Sequence, residues 1–212
     1  DSKRLLAMEK EAAGMYLSGN PLSEYKWIAQ LLHTASIGDI IGETASVTDG
    51  QSIKLLCILE GKKLHVTKNN EKMCFIDVSD GTGELECVVF PDLYSVCASQ
   101  LVHDNILLIN GKISVKDDRM TVICGSVFGE NQFSSVMGNM KLCIKVPSSQ
   151  AGASPELVRL CEKYRGDTSV CFYLTDLKKT VIPKNKLSLL INRESAEELG
   201  GLYPSSQTGM IS

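Results

Sequence analysis

The sequence predicts a small five-stranded β-barrel of Greek-key type, preceded by a helical segment and followed by a smaller α+β domain. The clearest sign is the run of residues 72–94, where two β-patterned segments flank the turn Asp80-Gly81-Thr82-Gly83, whose glycines permit positive φ. A mostly apolar segment, residues 53–60, comes before this hairpin, and residues 105–115 and 119–128 form a second hairpin after it. Together these segments provide the five strands.

The order of the elements is that of an OB fold. Apolar positions at Leu93, Val96 and Cys97 suit a short helix between the third and fourth strands, and five strands with a helix at this position is the OB order. Gly111 lies in the middle of the fourth strand and has no side chain to pack, so we expect a bend or bulge there. The hairpin alone would also fit an ordinary antiparallel meander, but its neighbours favour the barrel.

The helical segment covers residues 1–35, and the barrel covers residues 36–129. Two apolar stripes at helical spacing predict two helices in the first segment. Pro21 suits the first position of the second helix, and Asn20 before it is a good N-cap. A polar stretch, residues 130–137, is then predicted to be a linker.

Residues 138–212 are predicted to form the α+β domain. A strand over residues 141–146 leads through a Ser/Gly/Ala loop to a helix that Ser154 can cap. Three further strands are predicted at 169–174, 180–182 and 187–191. Asn192 can cap a final helix, which we expect Gly200-Gly201 to end after residue 199.

Two stretches of the sequence resemble one known family, the DnaE-type alpha subunits of bacterial DNA polymerase III. Residues 9–25, EKEAAGMYLSGNPLSEY, resemble the segment that precedes the OB domain in that family. A second set matches its OB domain in order and spacing: Thr67-Lys68, Met73-Cys74-Phe75, Asp80-Gly81-Thr82-Gly83, Glu86 and Phe90. Asn20 stands where the family usually has a histidine. The resemblance covers roughly the first three fifths of the chain.

The order of strands and helices in residues 138–212 resembles the extreme C-terminal domain of the same subunit. The resemblance implies a C-terminal accessory region of a replicative polymerase. Its OB domain would guide single-stranded template DNA, and its last domain would bind the tau subunit of the clamp loader. The catalytic carboxylates of the polymerase would then lie upstream. Because the chain begins with Asp1 inside a helical pattern, we expect it to be a piece of a longer polypeptide.

Two other classes of function remain open. An RNA-binding OB module, such as the anticodon-binding domain of an aminoacyl-tRNA synthetase, would share the barrel, and a protein-interaction module would use it only as a scaffold. Catalysis within this chain has no support in the sequence, because nucleotidyl transfer needs clustered carboxylates to hold two metal ions. The acids of the barrel are instead scattered over turns and strand ends: Asp77, Asp80, Glu84, Glu86, Asp117 and Asp118.

Composition is that of an ordinary globular protein, with 43% hydrophobic and 22% charged residues. No segment approaches the roughly 18 apolar residues of a membrane span, and no signal peptide opens the chain, so we expect a cytoplasmic protein. No pair of the eight cysteines has the spacing of a zinc site, and the three histidines are not clustered with them. We therefore expect reduced thiols that pack as small hydrophobes, and no metal or cofactor site.

Charge is unevenly divided between the two domains. Residues 36–129 contain eight Lys and Arg against 13 Asp and Glu, a balance of −5. Residues 138–212 contain ten against seven, a balance of +3. A net acidic barrel predicts weak DNA binding that depends on a local cluster of cations. One cluster lies in the polar connection that we expect between the first and second strands, beside the face where single strands lie in OB folds: Lys62, Lys63, Lys68 and Lys72.

A single strand needs cations along its phosphates and flat side chains under its bases. The candidate cations are Lys62, Lys63, Lys68, Lys72, Lys112 and Arg119. The candidate stacking residues are Phe75, Phe90, Tyr94 and His65. Apolar neighbours favour core packing for Phe75 and Phe90, and His65 fits a surface position better than a stacking one. The lysines fit a solvated loop equally well.

The resemblance places the tau contact on the final helix and the tail. Its candidate residues are Glu194, Glu197, Glu198, Leu199, Leu202, Tyr203, Gln207, Met210 and Ile211. The tail sequence QTGMI, residues 207–211, also loosely resembles the peptides by which replication proteins bind the sliding clamp, which would make the clamp a further partner. A frayed terminus is the simpler interpretation. We expect the positive balance of this domain to favour an acidic partner.

Overall fold

The computed structural model describes residues 20–42, 47–116, 119–150, 152 and 154–211. They fall into two compact units. The first contains the residues up to Lys26 and Thr34–Asn131, and the second contains Trp27–His33 and the residues from Gln132 onward. The helix predicted before residue 20, with the matching part of the 9–25 segment, and the hairpin tip Asp117-Asp118 lie outside the described residues.

A short 3-10 helix (Pro21–Tyr25) and two α-helices, α1 (Lys26–Leu32) and α2 (Ile37–Ile41), precede the barrel in the chain. Asn20 caps the first of them, because its Oδ1 accepts a hydrogen bond from the N–H of Leu22 at 2.8 Å. Pro21 occupies the first helical position. The predicted cap is therefore confirmed.

The first unit is a closed barrel of five strands: β1 (Ser52–Val66), β2 (Lys72–Ser79), β3 (Glu84–Val89), β4 (Ile106–Lys116) and β5 (Arg119–Gly129). Around the barrel their order is β1-β2-β3-β5-β4. The long β1 makes closure possible, since it pairs with β4 through its first half and with β2 through its second half. Helix α3 (Pro91–Cys97) lies between β3 and β4 in the chain. The predicted OB order is confirmed.

The barrel interior is filled from alternate positions of the strands, as the two-residue period of a β-strand requires. In β2 and β3 the inward side chains are Cys74, Ile76, Val78, Leu85, Cys87 and Val89. All eight cysteines are buried and unpaired, and five of them belong to this core: Cys57, Cys74, Cys87, Cys97 and Cys124. Burial raises the pKa of the Cys97 thiol to about 11. The expectation of thiols packed as small hydrophobes agrees with this core.

Gly111 marks a bulge, as predicted. The register between β4 and β5 shifts between Asn110 and Gly111. A Cβ atom at Gly111 would lie 2.6 Å from the carbonyl oxygen of Ile123 and 2.6 Å from Cγ1 of Val122. Both distances are far below ordinary van der Waals contact. Glycine is therefore required here by the close approach of β5.

The Asp80-Gly81-Thr82-Gly83 turn caps α2 from outside the helix. Oδ2 of Asp80 accepts a hydrogen bond from the N–H of Ile37 at 2.8 Å, and Oγ1 of Thr82 accepts one from the N–H of Gly38 at 2.8 Å. Ile37 and Gly38 are the first two residues of α2, and the N-cap residue Ser36 makes no side-chain capping bond of its own. The turn thus satisfies two of the N–H groups that the start of a helix leaves without an internal partner.

The same turn holds Asn20, whose Nδ2 donates a hydrogen bond to the carbonyl oxygen of Asp80 at 3.1 Å. Gly81 has the predicted positive φ, 85°, and a Cβ atom there would lie 2.4 Å from Nδ2 of Asn20. A Cβ atom at Gly83 would lie 2.9 Å from Cδ1 of Ile41. The two glycines therefore allow the preceding segments to pack directly on the turn.

The second unit contains a five-stranded sheet: β6 (Lys141–Val146), β7 (Thr168–Leu174), β8 (Lys179–Val181), β9 (Ser188–Leu189) and β10 (Thr208–Ile211). The order is β10-β6-β7-β8, and β9 also pairs with β7. Most of α1 belongs to this unit, with α4 (Phe133–Gly138), α5 (Pro155–Lys163) and α6 (Arg193–Leu202). Because β6 and β7 are parallel and α5 connects them, they form a βαβ unit.

Both predicted caps in this unit are confirmed. Oγ of Ser154 accepts a hydrogen bond from the N–H of Leu157 at 3.1 Å at the start of α5. At the start of α6, Oδ1 of Asn192 accepts one from the N–H of Ser195 at 2.9 Å, and Oγ of Ser195 accepts one from the N–H of Asn192 at 3.0 Å. This reciprocal pair is a capping box in which serine takes the place of the usual Glu or Gln.

Three features of residues 130–211 differ from the sequence-based expectations. The stretch predicted as a linker forms a 3-10 helix (Glu130–Gln132) and α4, which buries Phe133 and Met137. Helix α6 continues through Gly200-Gly201 to Leu202, because a glycine costs only about 1 kcal/mol in a helix and packing can offset that. The tail is an ordered strand, since β10 pairs with β6. No helix of the described residues is long and apolar enough to cross a membrane.

Candidate nucleic-acid interface

One continuous row of side chains crosses the outer surface of the barrel. Directly paired positions on neighbouring strands share a face of the sheet. The pairing gives Lys63 opposite Phe75, Phe75 opposite Val88, Val88 opposite Ile123, and Ile123 opposite Lys112. We call these five residues the binding row. Its two ends are cations, and its centre is one aromatic and two aliphatic side chains.

The binding row is accessible to solvent along its length. Lys63 and Lys112 are exposed, Phe75 and Val88 are half-buried, and Ile123 is 36% exposed. Neighbouring strands lie about 4.8 Å apart, so four strand-to-strand steps make a row about 19 Å long. Within the described residues neither lysine forms an ion pair. Both cations are therefore available to phosphates.

His65 continues this surface beyond Phe75, whereas Met73, its partner across the strands, is buried. His65 lies on the same outer face as Lys63 and Phe75. The rings of His65 and Phe75 meet edge to face, with centroids 6.2 Å apart and an angle of 73° between the ring planes. This arrangement places a second flat ring beside Phe75, which is itself half-buried.

Acidic side chains border the binding row on its other side. Asp77 and Glu86 are paired across β2 and β3, and both are exposed. The next position in the same row of pairs is Thr121 on β5. Two carboxylates repel phosphates, so this side of the row is unfavourable for a nucleic-acid backbone compared with the side that carries His65 and the β1–β2 connection.

The connections at this end of the barrel add cations. The β1–β2 connection is only residues 67–71 and contains Lys68, which is exposed. Lys116 and Arg119 flank the β4–β5 tip, are paired with each other and are exposed. In OB folds these two connections frame the face on which nucleic acids lie.

The structure corrects the expected position of the first lysines. Lys62, Lys63 and His65 lie on β1, because the strand extends to Val66 rather than ending at residue 60. Lys62 therefore points to the opposite face from Lys63, and its Nζ donates a hydrogen bond to the carbonyl oxygen of Leu101 at 2.6 Å. Lys72 begins β2 and is exposed. The Nζ of Lys62 is thus held by the Leu101 carbonyl on the other side of the strand from the binding row.

The aromatic candidates also divide differently from the expectation. The sequence favours core packing for Phe75 and Phe90, but neither is in the core: Phe75 is half-buried on the outer face, and Phe90 is 46% exposed. Tyr94 is the residue that packs against the barrel core. The sequence missed Val88, Ile123 and Lys116, although the alternation in β3 and β5 would have placed the first two on the outer face.

The candidate protein-contact residues are only partly on the surface. Leu199 and Met210 are 1% and 5% exposed, so they are core residues of the second unit. The carboxylate of Glu198 accepts hydrogen bonds from Nζ of Lys163 at 2.5 Å and from the hydroxyl of Tyr164 at 2.7 Å, and these bonds lower the pKa of Glu198. Glu197 pairs with Arg193 one helical turn away. The exposed or half-exposed candidates that remain are Glu194, Leu202, Tyr203, Gln207 and Ile211.

One group of described residues could offer three ligand atoms to a metal ion: Glu60, His103 and Asp104, whose donor atoms lie within 4.8 Å of one another. Nδ1 of His103 lies 2.9 Å from Oδ2 of Asp104, and both side chains are exposed. Exposed groups of this kind are common in proteins without an ion, so the geometry does not by itself define a metal site.

The closed barrel with α3 between β3 and β4 is an OB fold. Residues 58–128 match the family model described as OB-fold nucleic acid binding domain. This match runs from the middle of β1 to the end of β5 and so contains the whole binding row.

Among curated proteins the chain is similar to the alpha subunit of DNA polymerase III. It is 28% identical over 150 residues to the subunit of Mycobacterium tuberculosis H37Rv and 28% identical over 179 residues to that of Bacillus subtilis. These matches cover 71% and 84% of this chain, but only 12% and 16% of the relatives. The chain therefore corresponds to a small part of those proteins.

Solved structures that resemble part of the chain include the SSB domain of a Synechococcus protein, with a TM-score of 0.33 and 14% identity. That match covers 39% of this chain and 96% of the other. A replication protein A heterotrimer bound to single-stranded DNA matches with a TM-score of 0.32 and 15% identity, over 52% of this chain and 82% of the other.

Proposed function

We propose that the first unit binds single-stranded DNA along the binding row, as part of the alpha subunit of a replicative DNA polymerase. The observation that carries the proposal is the row itself: Lys63 and Lys112 lie at the two ends of a path of about 19 Å along the barrel surface, with Phe75, Val88 and Ile123 between them. Its elements match what a single strand needs, namely cations for phosphates and an apolar platform for bases. The similarity to DNA polymerase III alpha subunits supports the biological setting.

The charge distribution predicts weak binding. Two or three cations on phosphates give a slope of log K against log salt of about −1.4 to −2.1 for a single strand. Asp77 and Glu86 keep this number low by excluding phosphates from one side of the row. One stacked base adds about 1–3 kcal/mol. The site thus reads few nucleotides and has little basis for sequence preference.

The first prediction is that changes in the binding row weaken binding of single-stranded DNA, whereas a change at the neighbouring Lys62 does not. Changing Lys63 and Lys112 to alanine should make the salt slope for a fluorescently labelled oligothymidine shallower by about 1.4, measured by anisotropy. Phe75→Ala should weaken binding about five- to 150-fold at every salt concentration, because it removes a stacking surface. Lys62→Ala is the matched control: it lies one residue away but on the other face, with its Nζ on the Leu101 carbonyl.

The control decides between this site and general charge attraction. Lys62→Ala should bind DNA as the parent does, and equal losses for Lys62→Ala and Lys63→Ala would contradict the proposed row. Oligouridine and duplex DNA serve as comparison ligands in the same assay. Tighter binding of oligouridine would favour the RNA-binding alternative, and equal binding of duplex DNA would argue against a single-strand site.

We further propose that the second unit binds the tau subunit of the clamp loader. The support is the resemblance of its element order to the C-terminal domain of DnaE-type subunits, together with the exposed residues of α6 and the tail. Deleting residues 193–212 would not test this, because α6 and β10 supply Leu199 and Met210 to the core. Exchanging Glu194 and Leu202 for alanine keeps the fold and should weaken capture of tau in a pull-down. Unchanged capture would exclude this surface.

A further inference from the structure

The second unit has a strongly cationic edge. Residues 176–187, DLKKTVIPKNKL, form the end of the turn after β7, strand β8 and the loop that follows. We call this segment the lysine edge. It contains four lysines and one acid, a balance of +3. All four lysines are exposed, and within the described part of the chain none of them forms an ion pair: Lys178, Lys179, Lys184 and Lys186.

The single acid of the lysine edge is engaged elsewhere. Oδ1 of Asp176 accepts a hydrogen bond from the N–H of Ser148 at 2.8 Å, and its Oδ2 accepts one from the hydroxyl of the same serine. These bonds fix the carboxylate against the β6–α5 connection. The four lysine side chains therefore have no carboxylate of their own segment as a partner.

Strand β8 lies at the edge of its sheet. It pairs with β7 on one side, where Val181 lies opposite Phe172, Thr180 opposite Tyr173 and Lys179 opposite Leu174. The backbone on the other side of an edge strand can accept a further strand. Two large apolar side chains bracket β8, namely Leu177 at 58% exposed and Ile182 at 62% exposed.

We propose that the lysine edge binds an extended acidic segment of a partner protein, which adds to β8 as a further strand. This inference goes beyond the DNA and tau proposals and does not depend on either. The main chain of β8 would supply hydrogen bonds, Leu177 and Ile182 would cover aliphatic side chains of the partner, and the four lysines would pair with its carboxylates. Charge complementarity selects the occupant, because a +3 edge favours an acidic strand.

Two other occupants fit less well. A second copy of this edge would bring four lysines against four, and like charges placed opposite each other are destabilising. A nucleic acid would find neither an aromatic ring nor an arginine in residues 176–187. It would also leave the two exposed aliphatic side chains uncovered, since phosphates and sugars do not bury them.

The pairing predicts the pattern of the partner segment. Lys179 and Val181 lie on one face of β8, and Thr180 lies on the other. A strand added beside β8 should therefore place an acidic residue next to Lys179 and an aliphatic residue next to Val181. An alternation of acidic and aliphatic residues on that face satisfies both positions.

The test uses the full chain and synthetic peptides of mixed Glu and Val that place both residue types on one face. Binding of a labelled peptide is measured by anisotropy. Changing the four lysines together to alanine should weaken binding at least about tenfold, because each exposed ion pair contributes a fraction of a kcal/mol up to about 1 kcal/mol. Changing Lys141 and Lys145, which lie on β6 of the same sheet, to alanine is the matched control and should leave binding unchanged.

A peptide of the same sequence, with a methyl group on every second backbone nitrogen, separates strand addition from charge attraction. It keeps every side chain but loses half of its N–H donors, and its affinity should fall at least about tenfold. Equal affinity of the two peptides would overturn the proposal, and so would no saturable binding of the unmodified peptide. Loss of oligonucleotide binding, rather than peptide binding, in the four-lysine variant would assign the lysine edge to nucleic acid instead. Far-UV circular dichroism checks that the variants are folded.

Discussion

The most recognisable motif of the chain, Asp80-Gly81-Thr82-Gly83, is predicted to act through stability rather than through ligand binding. The side-chain carboxylate of Asp80 accepts three hydrogen bonds: from the N–H of Ile37 at 2.8 Å, from the N–H of Thr82 at 2.8 Å and from the hydroxyl of Thr82 at 2.6 Å. The first of these ties α2 to the barrel. We therefore expect Asp80→Ala to release α2 from the turn.

The expected loss of stability in Asp80→Ala depends on whether each hydrogen-bond donor can find another acceptor. The N–H and hydroxyl of Thr82 are in an exposed turn and can bond to water, so their loss costs little. The N–H of Ile37 is partly buried at the start of α2, and an unsatisfied buried donor costs about 1–3 kcal/mol. Loss of a capping interaction costs about 0.5–2 kcal/mol on other helices. The two figures describe the same bond, so we expect Asp80→Ala to destabilise the first unit by about 2 kcal/mol.

Hydrogen exchange measures the effect where it arises. The peptides that contain residues 34–42 and 79–84 should exchange faster in Asp80→Ala than in the parent, by a factor of about 30 if the full 2 kcal/mol is local. Trp27, the one tryptophan of the chain, belongs to the second unit. Its fluorescence during urea unfolding therefore serves as an internal reference for the unit that the change does not touch.

Asp77→Ala is the control for loss of a carboxylate from the same strand, since Asp77 is exposed on β2. It should change stability by less than about 0.5 kcal/mol. Asp80→Asn should cost less than Asp80→Ala, because the amide oxygen can still accept from the N–H of Ile37 while the NH2 group turns toward the exposed Thr82. If exchange of residues 34–42 is unaltered in Asp80→Ala, the cap is not what holds α2.

Two further predictions concern glycines and thiols. Gly111→Ala should destabilise the barrel by more than about 1 kcal/mol, because its Cβ would lie 2.6 Å from the Ile123 carbonyl oxygen. Gly200→Ala should instead stabilise the chain by about 0.5–1 kcal/mol, because a Cβ there would meet open space on α6. Urea unfolding measures both changes. Burial raises the pKa of Cys97 and Cys171 from an ordinary 9.0 to about 11. Between these pH values the thiols of the folded chain keep protons that the thiols of the unfolded chain lose. The free energy of unfolding should therefore fall as pH rises from 9 to 11. Fast labelling of these thiols at pH 8 in the folded chain would contradict their burial.

The sequence was sufficient for the barrel because its local signals agree with one another. The strand pattern, the glycine turn, the helix after β3 and the glycine in β4 each indicate the same topology. The caps at Asn20, Ser154 and Asn192 were also predictable, since capping is a local interaction between residues two or three apart. The sequence therefore predicts, with correct or nearly correct bounds, those elements that depend on interactions between residues close together in the chain.

The errors have a common cause in contacts between residues distant in the chain. The sequence places the end of β1 too early because residues 61–66 contain Lys62, Lys63 and His65, but their pairing with β2 makes them a strand. Strand β10 has a weak local signal, and its place is set by β6 more than 60 residues away. Lys62 and Lys63 are alike in sequence and differ in role only because adjacent strand residues face opposite sides.

The weak binding that we predict for the binding row agrees with its proposed setting. Linking two binding sites in one polypeptide gives the second an effective concentration on the order of 1 mM when the connection is short. A row with a Kd of about 100 µM would then be occupied about ten times more often than it is empty while the remainder of a polymerase holds the DNA. In the proposed site the row alone would release single strands quickly, and Asp77 and Glu86 would limit the number of phosphates that it can neutralise. The double change Asp77→Asn and Glu86→Gln should therefore tighten binding of single-stranded DNA by the isolated chain and steepen its salt dependence. An unchanged slope of log K against log salt would mean that phosphates never approach that side of the row.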